Sequence, residues 1–126
     1  MRVPDTENNE LIFVHQLADK LNENADWQVE TEPRDTGADI VVRNANDKKI
    51  YIEIKRAGQY GELPISSILS VNDQVKRIAP TDNLILVTFS GISDFLNKKL
   101  SDINVTALSQ PSVDDVVNKV ALAMSA

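Results

Sequence analysis

Two acids and one amine in the first half of the chain have the types and spacing to do chemistry together. Residues 48–55 alternate polar and apolar side chains with the period of a strand, so Glu53 and Lys55 leave one face while Ile50, Ile52 and Ile54 leave the other. Side chains two apart on a strand stand about 6.5–7 Å from one another. Asp39 sits at the start of a preceding strand, residues 38–43, and the polar segment Asn44-Ala45-Asn46-Asp47 that follows it is of hairpin length. Closing that hairpin crowds two carboxylates and an ammonium at one end of a sheet. Paired carboxylates hold a hard divalent cation, and the ammonium orients or polarises an attacking water and offsets charge building on phosphate, which suits hydrolysis of a phosphodiester. The main-chain carbonyl of Ile54 is a further candidate ligand.

The elements that must position these groups follow from periodicity. A first helix starts near Thr6, with Thr6 as cap and Glu7 and Glu10 complementing the dipole, and its apolar stripe is Val14, Leu17 and Leu21 with Phe13 and Ala18 beside them. Asn24 ends it. A short strand over residues 27–32 and a turn over 33–37 lead into the hairpin. After the hairpin come a glycine-bearing loop at 57–63, a second helix from Pro64 to about Ala79, an apolar strand at 83–89, and a short helix over about 93–100. A strand at 103–108 and a final helix behind Pro111 and Ser112, carrying Val113, Val116, Val117, Val120 and Leu122, complete the chain. The expected order is αβββαβαβα, a mixed α/β sheet flanked by helices, in one domain spanning residues 1–126.

Composition narrows the chemistry. There is no cysteine, which removes disulfides, thiolate metal sites and cysteine nucleophiles, and His15 is the only histidine, so a zinc site is not expected. Ser66, Ser67 and Ser70 have no histidine placed for a triad. The loop at 57–63 lacks the Gly-Lys-Ser/Thr ending of a phosphate-binding loop. No stretch approaches the roughly 20 apolar residues of a membrane span, and a cytoplasmic protein is expected. The net charge is −6 but unevenly placed: residues 1–39 carry three basic and ten acidic residues, and residues 43–99 carry nine basic and six acidic. The middle of the chain is locally suited to phosphate, whereas the acidic first third repels it.

Asp39, then thirteen intervening residues, then Glu53-Ile54-Lys55 on a hairpin strand resembles the signature of the PD-(D/E)xK nucleases, which have the restriction-endonuclease-like fold. Glu10 with Phe13, Val14 and Leu17 resembles the helix-borne glutamate of archaeal Holliday-junction resolvases. The apolar run 83–90 and the segment 103–107 are similar to the Mrr-like branch. Ala38 stands where the family's name-giving proline would be, and Glu53 where Mrr-like enzymes often carry glutamine. The resemblance implies a Mg²⁺- or Mn²⁺-dependent nuclease acting on nucleic acid, with DNA the expected substrate. Asp39, Glu53 and the Ile54 carbonyl would ligate the metal, Lys55 would serve the nucleophilic water, and Glu10 would complete the metal environment.

Around that centre, Arg56 is a candidate phosphate contact and Tyr60 a candidate base-stacking residue, each weighed evenly against a plain flexible turn. Gln74 matches a glutamine that related nucleases sometimes direct at the site, against the simpler reading of a helix-surface residue. Lys76 and Arg77 are phosphate candidates whose simpler reading is also solvated surface. Glu53 and Lys55 alone would read as the solvated face of a half-buried strand; Asp39 at hairpin distance is what favours the active-site reading. The rival function is an inactive protein of the same fold that binds a protein partner through its acidic surface. A homodimer or larger complex would reconcile low overall charge with an intact site.

Overall fold

The computed structural model describes residues 6–56, 65–78, 83–89 and 91–125, with side chains described from Glu10 onward. The side chains of Thr6 and Glu7, the loop at 57–63 with Tyr60, and Pro64 lie outside the described residues. The element order is α1 (Thr6–Asn22), β1 (Gln28–Thr31), β2 (Ile40–Arg43), β3 (Lys49–Lys55), α2 (Ile65–Ile78), β4 (Leu84–Thr88), α3 (Asp94–Asp102), β5 (Val105–Ser109) and α4 (Val113–Ser125). This is the expected αβββαβαβα, a mixed α/β sheet flanked by helices.

The five strands lie in chain order, β1-β2-β3-β4-β5. The first two pairings are antiparallel and the last two parallel. Parallel neighbours need crossovers, and α2 and α3 supply them on the same face, as expected when both crossovers share one hand. The central strands β2, β3 and β4 are buried on both sides. On one side Ile40, Val42, Ile50, Ile52, Ile54, Ile85 and Val87 pack with Leu17 and Leu21 of α1 and Val116 and Val120 of α4. On the other, Val41, Tyr51, Leu84, Leu86 and Val105 pack with Ile68, Val71 and Val75 of α2 and Leu100 of α3. Glu53 belongs to this second face by the alternation of β3. It is 2% exposed, so it does not lie on a solvated strand face.

Local chemistry sets the element ends. In the hairpin turn, Asn44 Oδ1 accepts from the N–H of Asn46 and of Lys48, and Asp47 takes φ 63°. Ser93 caps α3 by accepting from Leu96 N–H at 3.1 Å. Ser112 and Asp115 cap α4 reciprocally, each side chain accepting from the other's N–H. β5 starts two residues later than the sequence pattern suggests. Asn104 sits at φ 62°, the left-handed stop that follows a helix, and the chain becomes extended only beyond it.

The loop between β1 and β2 folds down onto the α2 side of the sheet. The fully buried Tyr51 donates its hydroxyl to Asp35 Oδ2 at 2.8 Å, which anchors the loop to β3. A Cβ placed on Gly37 would stand 3.2 Å from Val71 Cγ2, so glycine lets the loop approach α2. Burial, then the hydrogen bond to Asp35 and its charge, push the Tyr51 phenol further above its ordinary range, so it stays a donor. Replacing Tyr51 by Phe removes one hydrogen bond and leaves exposed Asp35 to water. The expected loss is about 1 kcal/mol of unfolding free energy, read as a lowered urea midpoint with an unchanged slope.

Candidate active site

Asp39 lies where β2 has not yet begun. Its main chain joins the sheet on both sides: its N–H donates to Ile52 O at 2.9 Å, and its carbonyl accepts from Glu32 N–H at 2.8 Å. Its carboxylate then replaces a main-chain acceptor, because Oδ2 accepts from Ile54 N–H at 2.7 Å. Ala38 and Val41, three residues apart, both pack in the α2-side cluster, so strand alternation is broken between them. That break turns Asp39 toward β3.

Glu53 meets it there. The Glu53 carboxyl is hydrogen-bonded to Asp39 and held in a nearly dry setting. Burial, the hydrogen bond to Asp39 and the negative charge of Asp39 raise its pKa from 4.5 to about 9, against the lowering influence of Lys55 and of the Ile54 main chain. At neutral pH the Glu53 carboxyl therefore keeps its proton. The second oxygen, Oε2, is buried with no hydrogen-bond partner among the described residues. A buried polar oxygen in that condition is costly to leave unmet.

Lys55, the last residue of β3, is half-buried and on the same strand face as Glu53. The hairpin thus brings Asp39 and Glu53 together, with Lys55 near enough for its charge to act on Glu53. Glu10 arrives from the other side. It lines a cleft of about 170 Å³ with Leu11, Val14, Glu32, Asp39 and Ile54. Ile54 packs with the α1-side cluster, so Glu10 approaches Asp39 from the face opposite Glu53. Among the described residues no three His, Cys, Asp or Glu side chains gather closely enough to hold a metal ion by themselves. The two acids that meet here are Asp39 and Glu53, and Glu10 stands beyond them.

The outlying candidates divide. Arg56 is exposed immediately beyond β3, at the end of the sheet that holds Lys55. Gln74 is exposed on α2, with its Oε1 directed toward Gly37. β3 and β4 are parallel, so α2 must run back along the sheet, and Lys76 and Arg77 in its last turn lie at the end remote from Lys55. The structure does not bring Lys76 to the acids. Two residues of interest escape the sequence pattern. Asn72, 7% exposed on α2, faces the sheet with Oδ1 unpartnered among the described residues; its spacing from Ile68 and Val75 is the signal that marks this helix phase as inward. Glu32 borders the Asp39 cleft at φ 51°, a turn conformation that no local motif announces.

Glu53 ties stability to pH with a definite sign. Its proton is bound more tightly in the fold than in the unfolded chain, so its contribution is fully present below about 4.5 and is lost as pH rises through about 9. Without added metal, unfolding free energy is expected to fall with rising pH across that window more steeply than in Glu53→Gln. The variant should be at least as stable as the parent at pH 8. Paired urea titrations at several pH values measure the difference, and parallel profiles would refute it.

No family model matches the chain, and no curated protein matches it. Among solved structures, the protein of unknown function AF1548 is similar with a TM-score of 0.52 and 13% identity, over 86% of this chain and 65% of its own. A repair endonuclease from Pyrococcus abyssi has a TM-score of 0.48 and 18% identity, over 88% of this chain and 49% of its own. The chain spans less than two thirds of the length of either. At 13% identity, the likeness to AF1548 is one of fold alone.

Proposed function

We propose that the chain is a metal-dependent nuclease of the PD-(D/E)xK type that hydrolyses phosphodiester bonds, with DNA as its substrate. The observation that carries this reading is the buried Glu53 carboxyl, hydrogen-bonded to Asp39 with one oxygen unpartnered, on the strand that ends in Lys55. Two acids sharing a dry site are stable as a pair only with a proton or a cation between them. The oxygen-only donor set suits Mg²⁺ or Mn²⁺. Asp39, Glu53 and the Ile54 carbonyl would hold the ion, which when bound would supply Lewis-acid polarisation of a phosphoryl oxygen and a more acidic water.

The chain's own groups have separable tasks. Asp39 is fixed before substrate arrives, because the Ile54 N–H holds its carboxylate. Burial of Glu53 keeps bulk water away from the shared site and strengthens each charge interaction in it. Lys55 offers a positive charge for the water that attacks and for the negative charge that grows on phosphate. Glu10 and Glu32, in the cleft on the other side of Asp39 from Glu53, suit an outer role through water rather than direct ligation. The acid-rich α1 side of the site disfavours a phosphate backbone there, which fits a substrate arriving from the opposite side.

The test is cleavage of duplex, single-stranded and branched DNA with Mg²⁺ or Mn²⁺. Activity is expected with metal and not with chelator. Asp39→Asn and Lys55→Ala should each lower the rate at least about a hundredfold while remaining folded by circular dichroism. Calorimetric titration with Mn²⁺ should show binding that Asp39→Asn removes. A pure protein that binds no Mn²⁺ and cuts none of these substrates would overturn the proposal in favour of a non-catalytic binding role.

A further inference from the structure

One end of the sheet gathers features that the acid pair does not use. β3, β4 and β5 are parallel, and Lys55, Thr88 and Ser109 are register partners across them. The carboxyl ends of all three strands therefore lie together, a span of about 10 Å at ordinary strand spacing. The chain leaves β4 at this end and enters α3 after a short connection, so the first turn of α3 stands at the same end as Lys55. α3 also lies on the same face as Glu53, because Leu96 and Leu100 pack into the α2-side cluster.

Phe95 occupies that first turn and is 73% exposed, the most exposed of the large apolar side chains described. A single exposed ring needs no cover of its own, and what marks this one is the charge beside it. Lys99, one turn on, sets its ammonium 5.4 Å from the ring centroid. Lys98 is also exposed on the same helix, and Arg56 lies just beyond Lys55. Asp94 shares the turn, but it sits at the positive end of the α3 dipole, where its charge is partly compensated. The opposite flank of the site, toward α1 and β1, carries Glu10 and Glu32 in the Asp39 cleft. A polyanion reaching Asp39 and Glu53 thus meets acid on the β1 side and cations with an open ring on the α3 side.

We propose that Phe95, backed by Lys98 and Lys99, is a stacking platform for an unpaired base of the substrate strand, so that the site takes nucleic acid with a single-stranded segment on its α3 side. Every base offers a π face to an exposed ring, and lysines beside it bind the flanking phosphates without reading sequence. A blunt duplex has no free base face within its length for the ring to take. The inference rests on the nuclease reading and adds the substrate's strandedness.

Binding can be measured apart from cleavage. With chelator present, fluorescence anisotropy of a labelled oligothymidylate and of a blunt duplex of equal length compares the intact chain with Phe95→Ala, Phe95→Trp and Lys99→Ala. The single strand should bind more tightly than the duplex. Phe95→Ala should weaken single-strand binding roughly five- to a hundredfold with little effect on duplex, while Phe95→Trp retains it. Lys99→Ala should weaken both and flatten the salt dependence. Melting curves should be unchanged, since Phe95 lies outside the core. Equal single-strand affinity in the intact chain and Phe95→Ala overturns the platform and leaves the nuclease reading standing if cleavage persists. A dimer in light scattering that Phe95→Ala dissolves also overturns it, because the ring then meets a second copy. Absence of any DNA binding removes the platform, and joined to absence of cleavage and of Mn²⁺ binding it removes the nuclease reading too.

Discussion

The candidate site depends on one carboxylate doing the work of a main-chain carbonyl. Asp39 Oδ2 accepts the Ile54 N–H at 2.7 Å, one residue before β2 begins its ladder with β3. The hydrogen bond closes the hairpin at its open end and, in the same geometry, brings the carboxyl beside Glu53. A longer side chain at this position would overshoot the N–H, and a shorter one would leave a strand donor unpaired. Position 39 therefore ties folding and chemistry together, and a substitution that keeps an acceptor there, such as Asn, separates the two more cleanly than Ala.

Burial then gives the acid pair its character. α2 closes over the face that carries Tyr51 and Glu53. That coverage removes Glu53 from water and, among the described residues, leaves one of its oxygens without a partner. The same strand's other face is wholly aliphatic at Ile50, Ile52 and Ile54 and packs against α1 and α4. β3 is thus rigid on one side and polarised on the other. Displacement of the Glu53 side chain would require movement of α2 or of the Asp35 loop that Tyr51 holds in place. The acids sit in a preorganised frame, where electrostatic effects are largest.

Strong periodicity made most of this legible from residue order. The alternation over 49–55 and the apolar run at 84–88 marked the two central strands, and all nine elements occur in the expected order. The meeting of Asp39 with Glu53 was legible in the alternation over 48–55 and the hairpin length, whereas the break in alternation that turns Asp39 was not. Long-range packing was harder to read. Gln74 and Lys76 drew attention as polar residues on α2, yet the helix phase turns Asn72 inward, because Ile68 and Val75 on the same stripe fix the buried side. A polar residue on an apolar stripe is a weak signal until the partner surface is known. Glu32 was invisible for a different reason: its place beside Asp39 comes from a left-handed turn set by the loop as a whole. The late start of β5 has the same origin in Asn104.

The pairing of α1 with α4 under the sheet has a consequence for assembly on the ribosome. Leu17 and Leu21 are made before the hairpin and both crossovers, yet the apolar surface they occupy is shared with Val116 and Val120, which come after them. The hairpin and the two crossovers can form as they emerge, since each joins neighbours in sequence. The lower layer stays ajar until the last helix is released, with β2 and β3 showing oily side chains to the cell meanwhile. A nascent chain stalled before residue 113 would be the form most in need of a chaperone.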